Sequence, residues 1–167
     1  MSSNRSNSRN RIRFLCYSAV IAALYTVLTY VVSALGLASG AIQLRFSEGL
    51  CILAAFTPAA IPGLTLGCLI SNLVTGCLPT DILFGSLATL IGAIGGWFLQ
   101  KKPYLVPIPT VLANTLIVPF VLAYAYRAEG GLAYFFLTVG IGEILSAYVF
   151  GILLYPALKK HSSQIFK

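Results

Sequence analysis

Few side chains in this sequence could do chemistry, and one acidic residue lies in an unusual place. The four acidic residues are Glu48, Asp81, Glu129 and Glu143. Glu143 lies within the apolar and small-residue run GIGEILSAYVFG (140–151). A carboxylate there can accept two parallel N–H bonds from an amidine-like or guanine-like edge, because both of its oxygens are acceptors. Glu143 is therefore the first candidate for a ligand contact.

Glu143 also lies deep in its predicted span, 132–156, about 16 Å from the start at 1.5 Å per residue. An acidic side chain at such a depth costs about 2.5 kcal/mol or more, so it must face the bundle or a watery cavity. A purely structural alternative is a hydrogen bond to Asn72 or Asn114 inside the bundle. The neighbouring residues are small and leave space, which favours a pocket. They are Gly140, Gly142, Ser146 and Ala147.

The other acidic residues have local explanations as well as functional ones. Glu48 and Asp81 are each predicted at the outer N-terminus of a helix, where free N–H groups and the helix dipole favour a carboxylate. Glu48 has a further alternative, an ion pair with Arg45. Glu129 lies beside Arg127 in the turn YRAEGG and is interpreted as a solvated loop charge.

The elements that position these residues are membrane helices. The 167 residues are 58% hydrophobic and 9% charged, with a mean hydropathy of +0.90, whereas soluble domains carry about 25% charged residues. The long apolar runs match the length that a helix needs to cross a bilayer, and they lack the alternation of a membrane β-barrel. Helices satisfy their own backbone hydrogen bonds in lipid. The sequence predicts an all-α, multi-pass integral membrane protein.

Four spans are predicted directly from hydropathy. They are 14–36, 81–99, 108–126 and 132–156. The segment 47–76 is long for one crossing and short for two, but it contains TPAAIPG, whose prolines break a helix. Two crossings place Lys101-Lys102 and Lys159-Lys160 on the same side as the N-terminal arginines, as the positive-inside rule requires. The prediction is a compact bundle of six transmembrane helices with both termini cytoplasmic.

The ends of the chain are predicted to lie outside this single domain, which covers residues 14–158. Residues 1–13 form a Ser/Asn-rich basic tail that is expected to be disordered, and residues 159–167 form a second cytoplasmic tail. The formal net charge of +7 follows this distribution. It therefore indicates membrane orientation rather than binding to nucleic acid.

The polar residues predicted in the outer half of the bundle come from several helices and from the first outer loop (37–46). They are Arg45, Glu48, Asn72, Asp81 and Glu143, with Asn114 in a neighbouring span and the Tyr134 ring above Glu143. Together they predict a substrate-binding cavity that opens outward and is rich in acceptors. Such a cavity suits a small planar ligand with several N–H donors and a positive charge.

Groups required for catalysis are missing from the sequence. It has no Gly-rich phosphate loop. Its only histidine, His161, lies in the polar C-terminal tail, so proteases that need a histidine base or ligand are excluded. The four cysteines match no metal or redox spacing. No enzyme activity, no metal and no cofactor are predicted for this chain.

Small residues at four-residue spacing predict close helix packing. One stripe comprises Gly63, Gly67, Ser71 and Thr75, and another comprises Gly85, Thr89, Gly92 and Gly96. The first span carries Ala19-x-x-x-Ala23. For these two alanines, packing inside the bundle and contact with another membrane protein remain equal alternatives from spacing alone.

Several stretches resemble the substrate-binding S components of energy-coupling factor (ECF) transporters, and specifically the queuosine-precursor transporter family (QueT). The resembling stretches are QLRFSEGLCILAAFTPAAIPGLTLGCLISN (43–72), DILFGSLATLIGA (81–93), PTVLANTLIVPF (109–120) and GIGEILSAYVFGILLYPALKK (140–160). The resemblance implies a six-helix bundle that holds its ligand near the outer face of a bacterial plasma membrane, with a 7-deazaguanine, either the aminomethyl form or queuine, as that ligand.

The resemblance also implies partners. The family works with a membrane scaffold subunit and two cytosolic ATPases, which hydrolyse the ATP. An Ala-x-x-x-Ala motif on the first helix of S components packs on the scaffold, and Ala19 and Ala23 match it. Two alternatives remain: an S component for another vitamin, such as thiamine or riboflavin, and a structural or assembly membrane protein without a small ligand.

Overall fold

The structure is a computed structural model, and it describes residues 2–36 and 44–165; every element in these two ranges is helical. The α-helices are α1 (Ser2–Ala34), α2 (Ala60–Val74), α3 (Pro79–Phe98), α4 (Ile108–Phe120), α5 (Leu132–Glu143) and α6 (Phe150–Ile165). A 3-10 helix, Phe46–Ala55, lies between α1 and α2, and a short 3-10 turn, Pro103–Leu105, precedes α4. Two π-helical segments complete the fold: Val121–Ala125 extends α4, and Ile144–Val149 joins α5 to α6.

Within the described residues, four helical segments are long and apolar enough to cross a membrane. They are Asn7–Ala34, Pro79–Phe98, Pro103–Ala125 and Leu132–Ser162. The 3-10 helix and α2 are also apolar but shorter. The prediction of an all-α membrane protein is confirmed at this level. The count of six crossings and the cytoplasmic position of both termini stay predictions.

The proline-containing segment divides the polypeptide where the sequence predicts. The 3-10 helix ends at Ala55, and α2 begins at Ala60. Pro58 lies in the turn between them, and Pro62 lies in the first turn of α2. A backbone N–H in the first turn of a helix has no intrahelical acceptor, so a proline there costs no hydrogen bond. The segment 47–76 is therefore two helical elements.

The 3-10 helix lies at the centre of the bundle. It contacts α1, α2, α3, α6 and the second π segment, and residues 47–54 are all buried. Ten residues span about 20 Å as a 3-10 helix but only about 15 Å as an α-helix, so this winding lengthens a short segment. Gly49 permits the close approach, since a Cβ there would lie 2.4 Å from Phe150 Cδ1 and 3.0 Å from the Ser146 carbonyl oxygen.

The predicted small-residue stripes pack helices together. On α2, a Cβ at Gly63 would lie 2.8 Å from Ile21 Cβ, and one at Gly67 would lie 2.6 Å from Tyr25 Cβ. These glycines therefore set the distance between α1 and α2. Ala19 and Ala23 lie on the opposite, exposed face of α1. Their exposure removes internal packing as the explanation of the Ala-x-x-x-Ala pattern.

Helices continue beyond the predicted bounds of the membrane domain, 14–158, at both ends of the chain. Helix α1 begins at Ser2, whereas residues 1–13 were predicted to be disordered, and α6 continues to Ile165, past the predicted boundary at residue 158. The physical reason is that adding residues to an existing helix fixes one residue per hydrogen bond, while only nucleation is costly. Polar residues that follow a stable span can therefore continue it.

Candidate ligand-binding site

Glu48 and Tyr25 form a buried polar contact of the site. Glu48 lies in the first turn of the 3-10 helix, and the Tyr25 hydroxyl on α1 donates a hydrogen bond to its Oε1. Both side chains are almost fully buried, at 2% and 1% exposed. Sequence reasoning missed Tyr25. The available signal was general: a buried tyrosine hydroxyl normally has a hydrogen-bond partner.

Asp81 is held by side chains from other elements. Its Oδ2 lies 3.9 Å from Arg45 Nη2 and accepts a hydrogen bond of 3.0 Å from the Tyr126 hydroxyl. Tyr126 Oη in turn accepts a bond of 3.2 Å from the Leu78 backbone N–H. Asp81 does lie in the first turn of α3, as predicted, but no side chain caps that helix. Tyr126 is a second residue that sequence reasoning missed.

The ion pair of Arg45 with Asp81 also decides between the predicted alternatives for Glu48. The sequence allowed a simple pair between Arg45 and Glu48, three residues apart. In the structure the guanidinium pairs with Asp81 on α3, and the Glu48 carboxylate bonds to Tyr25. Each carboxylate thus has its own partner.

Asn72 lies at the α2–α3 interface. Its Nδ2 is 3.5 Å from the Asp81 carbonyl oxygen, and its Oδ1 is buried without a hydrogen-bond partner. Gly85 provides the space, because a Cβ there would lie 3.1 Å from Asn72 Nδ2 and 3.3 Å from Asp81 Oδ1. The predicted proximity of Asn72 and Asp81 is therefore present.

A small cavity lies beside Glu143. Its volume is about 20 Å³, and it is lined by Arg45, Asn114, Val118, Val139 and Glu143. Glu143 Oε2 and Asn114 Nδ2 are buried and have no hydrogen-bond partner. The Asn114 amide lies near the carboxylates of both Glu143 and Glu48, so the predicted Asn114 partner of Glu143 is adjacent, but these two atoms do not meet at hydrogen-bond geometry. Leaving such groups buried and unpaired costs about 1–3 kcal/mol each, more for a charge.

The second π segment holds the backbone of Arg45, one of the residues that line this cavity. Glu143 is the last residue of α5, and the π segment begins at Ile144. Ser146 in that segment accepts a hydrogen bond of 3.0 Å from the Arg45 backbone N–H. This bond ties the start of the 3-10 helix to the long C-terminal helix. Single π turns inside α-helices occur frequently at functional sites.

Comparison with known proteins decides the family. The sequence model of one family, described as the QueT transporter, matches residues 15–160. The chain belongs to the QueT transporter family. Curated proteins and solved structures gave no match. The resemblance seen in the sequence is thereby confirmed, and the match includes every residue of the site described above. Membership indicates a membrane protein that transports rather than catalyses.

The charges of this QueT transporter's site do not balance. Three buried carboxylates, Glu48, Asp81 and Glu143, face one guanidinium, that of Arg45. Arg45 lies within electrostatic range of Asp81 and Glu48, and Glu143 lies within range of Glu48. The cluster is therefore negative when its carboxylates are ionised. It suits a ligand with N–H donors and a positive charge.

Tyr134 lies apart from the other predicted site residues, and its contact with a ligand stays a prediction. Its side chain is 47% exposed and does not line the cavity. Tyr134 precedes Glu143 by nine positions, which is about two and a half turns at 3.6 residues per turn, so the two side chains lie on opposite faces. Glu129, in contrast, is exposed in its turn as the sequence predicted.

Proposed function

We propose that this protein is the substrate-binding S component of an ECF importer and captures a 7-deazaguanine queuosine precursor at the outer face of a bacterial plasma membrane. One observation carries the proposal: Asn114 Nδ2 and Glu143 Oε2, a buried donor and a buried acceptor, line one cavity, and although the two side chains lie near each other, neither atom has a partner at hydrogen-bond geometry. A guanine-like edge presents the complementary pair, an oxygen acceptor next to an N–H donor. Family membership supports the transport role.

Each polar group of the site has a role in this proposal. Glu143 accepts from the N1–H and 2-amino groups of the base, and Asn114 donates to its oxygen. Glu48 or Asp81 takes the positive charge of the aminomethyl arm. Bonds of this kind, with one ionised partner, are about twice as strong as neutral ones.

Uptake requires energy, which in this proposal partner subunits supply. A membrane scaffold and two cytosolic ATPases bind the S component and hydrolyse ATP. The sequence has no Gly-rich phosphate loop of the nucleotide-hydrolase type, which agrees with this division of labour.

The cavity must widen to accept such a ligand. Its volume is about 20 Å³, whereas small-molecule sites measure about 300–1,000 Å³. The lining side chains of Arg45, Val118 and Val139 therefore move apart on binding. Part of the binding free energy is spent on this movement, which makes the measured affinity lower than the contacts alone would give.

Direct binding tests the proposal. Purified protein is expected to bind 7-aminomethyl-7-deazaguanine without ATP, as measured by isothermal titration calorimetry. A thermal-shift panel with thiamine, riboflavin and queuine separates the alternatives, since a ligand stabilises the protein only if it binds the folded state. Stabilisation by a vitamin alone would reassign the cargo. Stabilisation by none of the compounds would favour a structural or assembly role.

The exposed Ala19 and Ala23 give a second test. Replacing either alanine with leucine is expected to abolish co-purification with the scaffold, because small residues allow helices to approach closely in a membrane. Ligand affinity should stay unchanged, since neither side chain faces the bundle. Ala157→Leu, at an exposed position on α6, is the matched control. Retained co-purification of both variants would place the scaffold contact elsewhere.

A further inference from the structure

Arg45 is the single cation described among three buried carboxylates, and it borders the cavity with Glu143 and Asn114. Its backbone is fixed, because its N–H donates to Ser146 Oγ at 3.0 Å. Its guanidinium is held less closely. The distance of 3.9 Å to Asp81 Oδ2 exceeds the roughly 2.7–2.9 Å of a charge-assisted hydrogen bond.

Two further facts favour displacement of this guanidinium by a ligand. Asp81 Oδ2 already accepts a hydrogen bond from Tyr126, so Asp81 keeps a partner if Arg45 withdraws. The Arg45 side chain is 21% exposed, whereas that of Asp81 is 8% exposed. Part of the Arg45 side chain therefore reaches solvent. The carboxylate stays buried.

We infer that the Arg45 guanidinium occupies the place where the positive charge of a ligand binds, and that a cationic ligand displaces it. The site therefore selects 7-deazaguanines with an ammonium arm over neutral ones. This inference rests on the proposed function. An ammonium can replace the guanidinium among Glu48, Asp81 and Glu143 without a net change in charge. A neutral ligand that displaces Arg45 leaves buried carboxylates without a cation, which is costly.

The ammonium and the guanidinium also repel each other. Wild-type protein must move Arg45 away before the ammonium reaches the carboxylates, which weakens the observed affinity. Removing the guanidinium removes that competition for a cationic ligand only. Arg45 thus changes the affinity for cationic ligands only. If Arg45 instead contacted the base directly, it would strengthen the binding of every ligand with the same bicyclic ring.

Two ligands with the same ring system test this inference by calorimetry. They are 7-aminomethyl-7-deazaguanine, which carries an ammonium, and 7-cyano-7-deazaguanine, which is neutral. Wild-type protein is expected to bind the ammonium compound at least about tenfold more tightly, the value of one charge-assisted bond. In Arg45→Gln the ratio of the two dissociation constants, that of the cyano compound divided by that of the aminomethyl compound, is expected to rise by a further factor of about ten. The gain comes from tighter binding of the ammonium compound.

Matched variants isolate the charge of Arg45. Arg45→Lys keeps a cation at the position and should keep the wild-type ratio within about threefold, given the usual scatter of charge contributions. Arg127→Gln removes the same charge from the exposed turn and should leave the ratio unchanged. A rise in the ratio in Arg127→Gln would mean that net charge, not the position of Arg45, controls selectivity, and would overturn the inference.

The outcomes separate this inference from the function on which it rests. Equal wild-type affinities for the two compounds would overturn the inference and leave the proposed function intact. Equal weakening of both compounds in Arg45→Gln would also overturn it, because Arg45 would then contact the base itself. If the wild-type protein binds neither compound, the proposed function fails, and the inference fails with it.

Discussion

Replacing Glu143 with glutamine is expected to weaken the binding of 7-aminomethyl-7-deazaguanine at least tenfold. The substitution keeps the shape of the side chain but removes the charge and turns one acceptor into a donor. A hydrogen bond to a charged group contributes about 1.5–3 kcal/mol, and 1.4 kcal/mol corresponds to a factor of ten in Kd. In addition, the new amide N–H opposes the N–H groups of the base. Calorimetry on the purified variant measures the effect.

The stability of the same variant should not decrease, and this separates binding from folding. Glu143 Oε2 is buried without a partner, and an uncompensated buried charge destabilises the folded state. Thermal unfolding of Glu143→Gln without ligand is therefore expected at or above the wild-type temperature. Glu129→Gln, in the exposed turn, is the matched control and should change neither quantity. Unchanged affinity in folded Glu143→Gln would exclude Glu143 from the ligand contacts.

The position of Glu143 was predictable from the sequence because the bilayer restricts where a carboxylate can go. A charge about eleven residues into a span must face the interior, and the structure buries it. The helix break near Pro58 and the packing stripe of Gly63 and Gly67 were predictable for the same kind of reason. Each follows from a local rule about backbone geometry or side-chain size.

The partners of the polar groups could not be predicted, because they depend on contacts between distant parts of the chain. Tyr25 meets Glu48 across 23 residues, and Tyr126 meets Asp81 across 45. Tyrosines are common in membrane helices, so neither one stood out. From the sequence, Glu48 was an equally good local partner for Arg45. The ion pair with Asp81 forms because α3 packs close to Arg45 in the fold.

Hydropathy also could not distinguish the α-helices from the 3-10 and π segments. Apolar residues in the 3-10 helix, Phe46–Ala55, and in the π segment, Ile144–Val149, have the same composition as those in the α-helices. These windings differ from the α-helix by one residue per hydrogen-bonded turn. That difference rotates the following side chains. Glu143 and Tyr134, in contrast, both lie within α5, so α-helical periodicity alone places them on opposite faces.

Gly67→Ala is expected to reduce both stability and ligand affinity, although Gly67 itself is not part of the site. The added methyl group would lie 2.6 Å from Tyr25 Cβ and 3.0 Å from the Ala22 carbonyl oxygen. Neither atom is the end of a flexible side chain, so α1 must shift away from α2. Overpacking of this kind costs about 1–3 kcal/mol, which lowers the melting temperature by about 2–4 °C per kcal/mol at this chain length.

The loss of affinity follows from the position of Tyr25. Its backbone moves with α1, and its hydroxyl donates to Glu48, so a shift of α1 weakens the bond that orients this carboxylate. Gly131→Ala is the matched control, because a Cβ there has no neighbour within 4 Å. It should change neither melting temperature nor Kd. If Gly67→Ala loses stability but keeps wild-type affinity, then Tyr25 does not position Glu48 for the ligand, and Glu48 binds from the 3-10 helix alone.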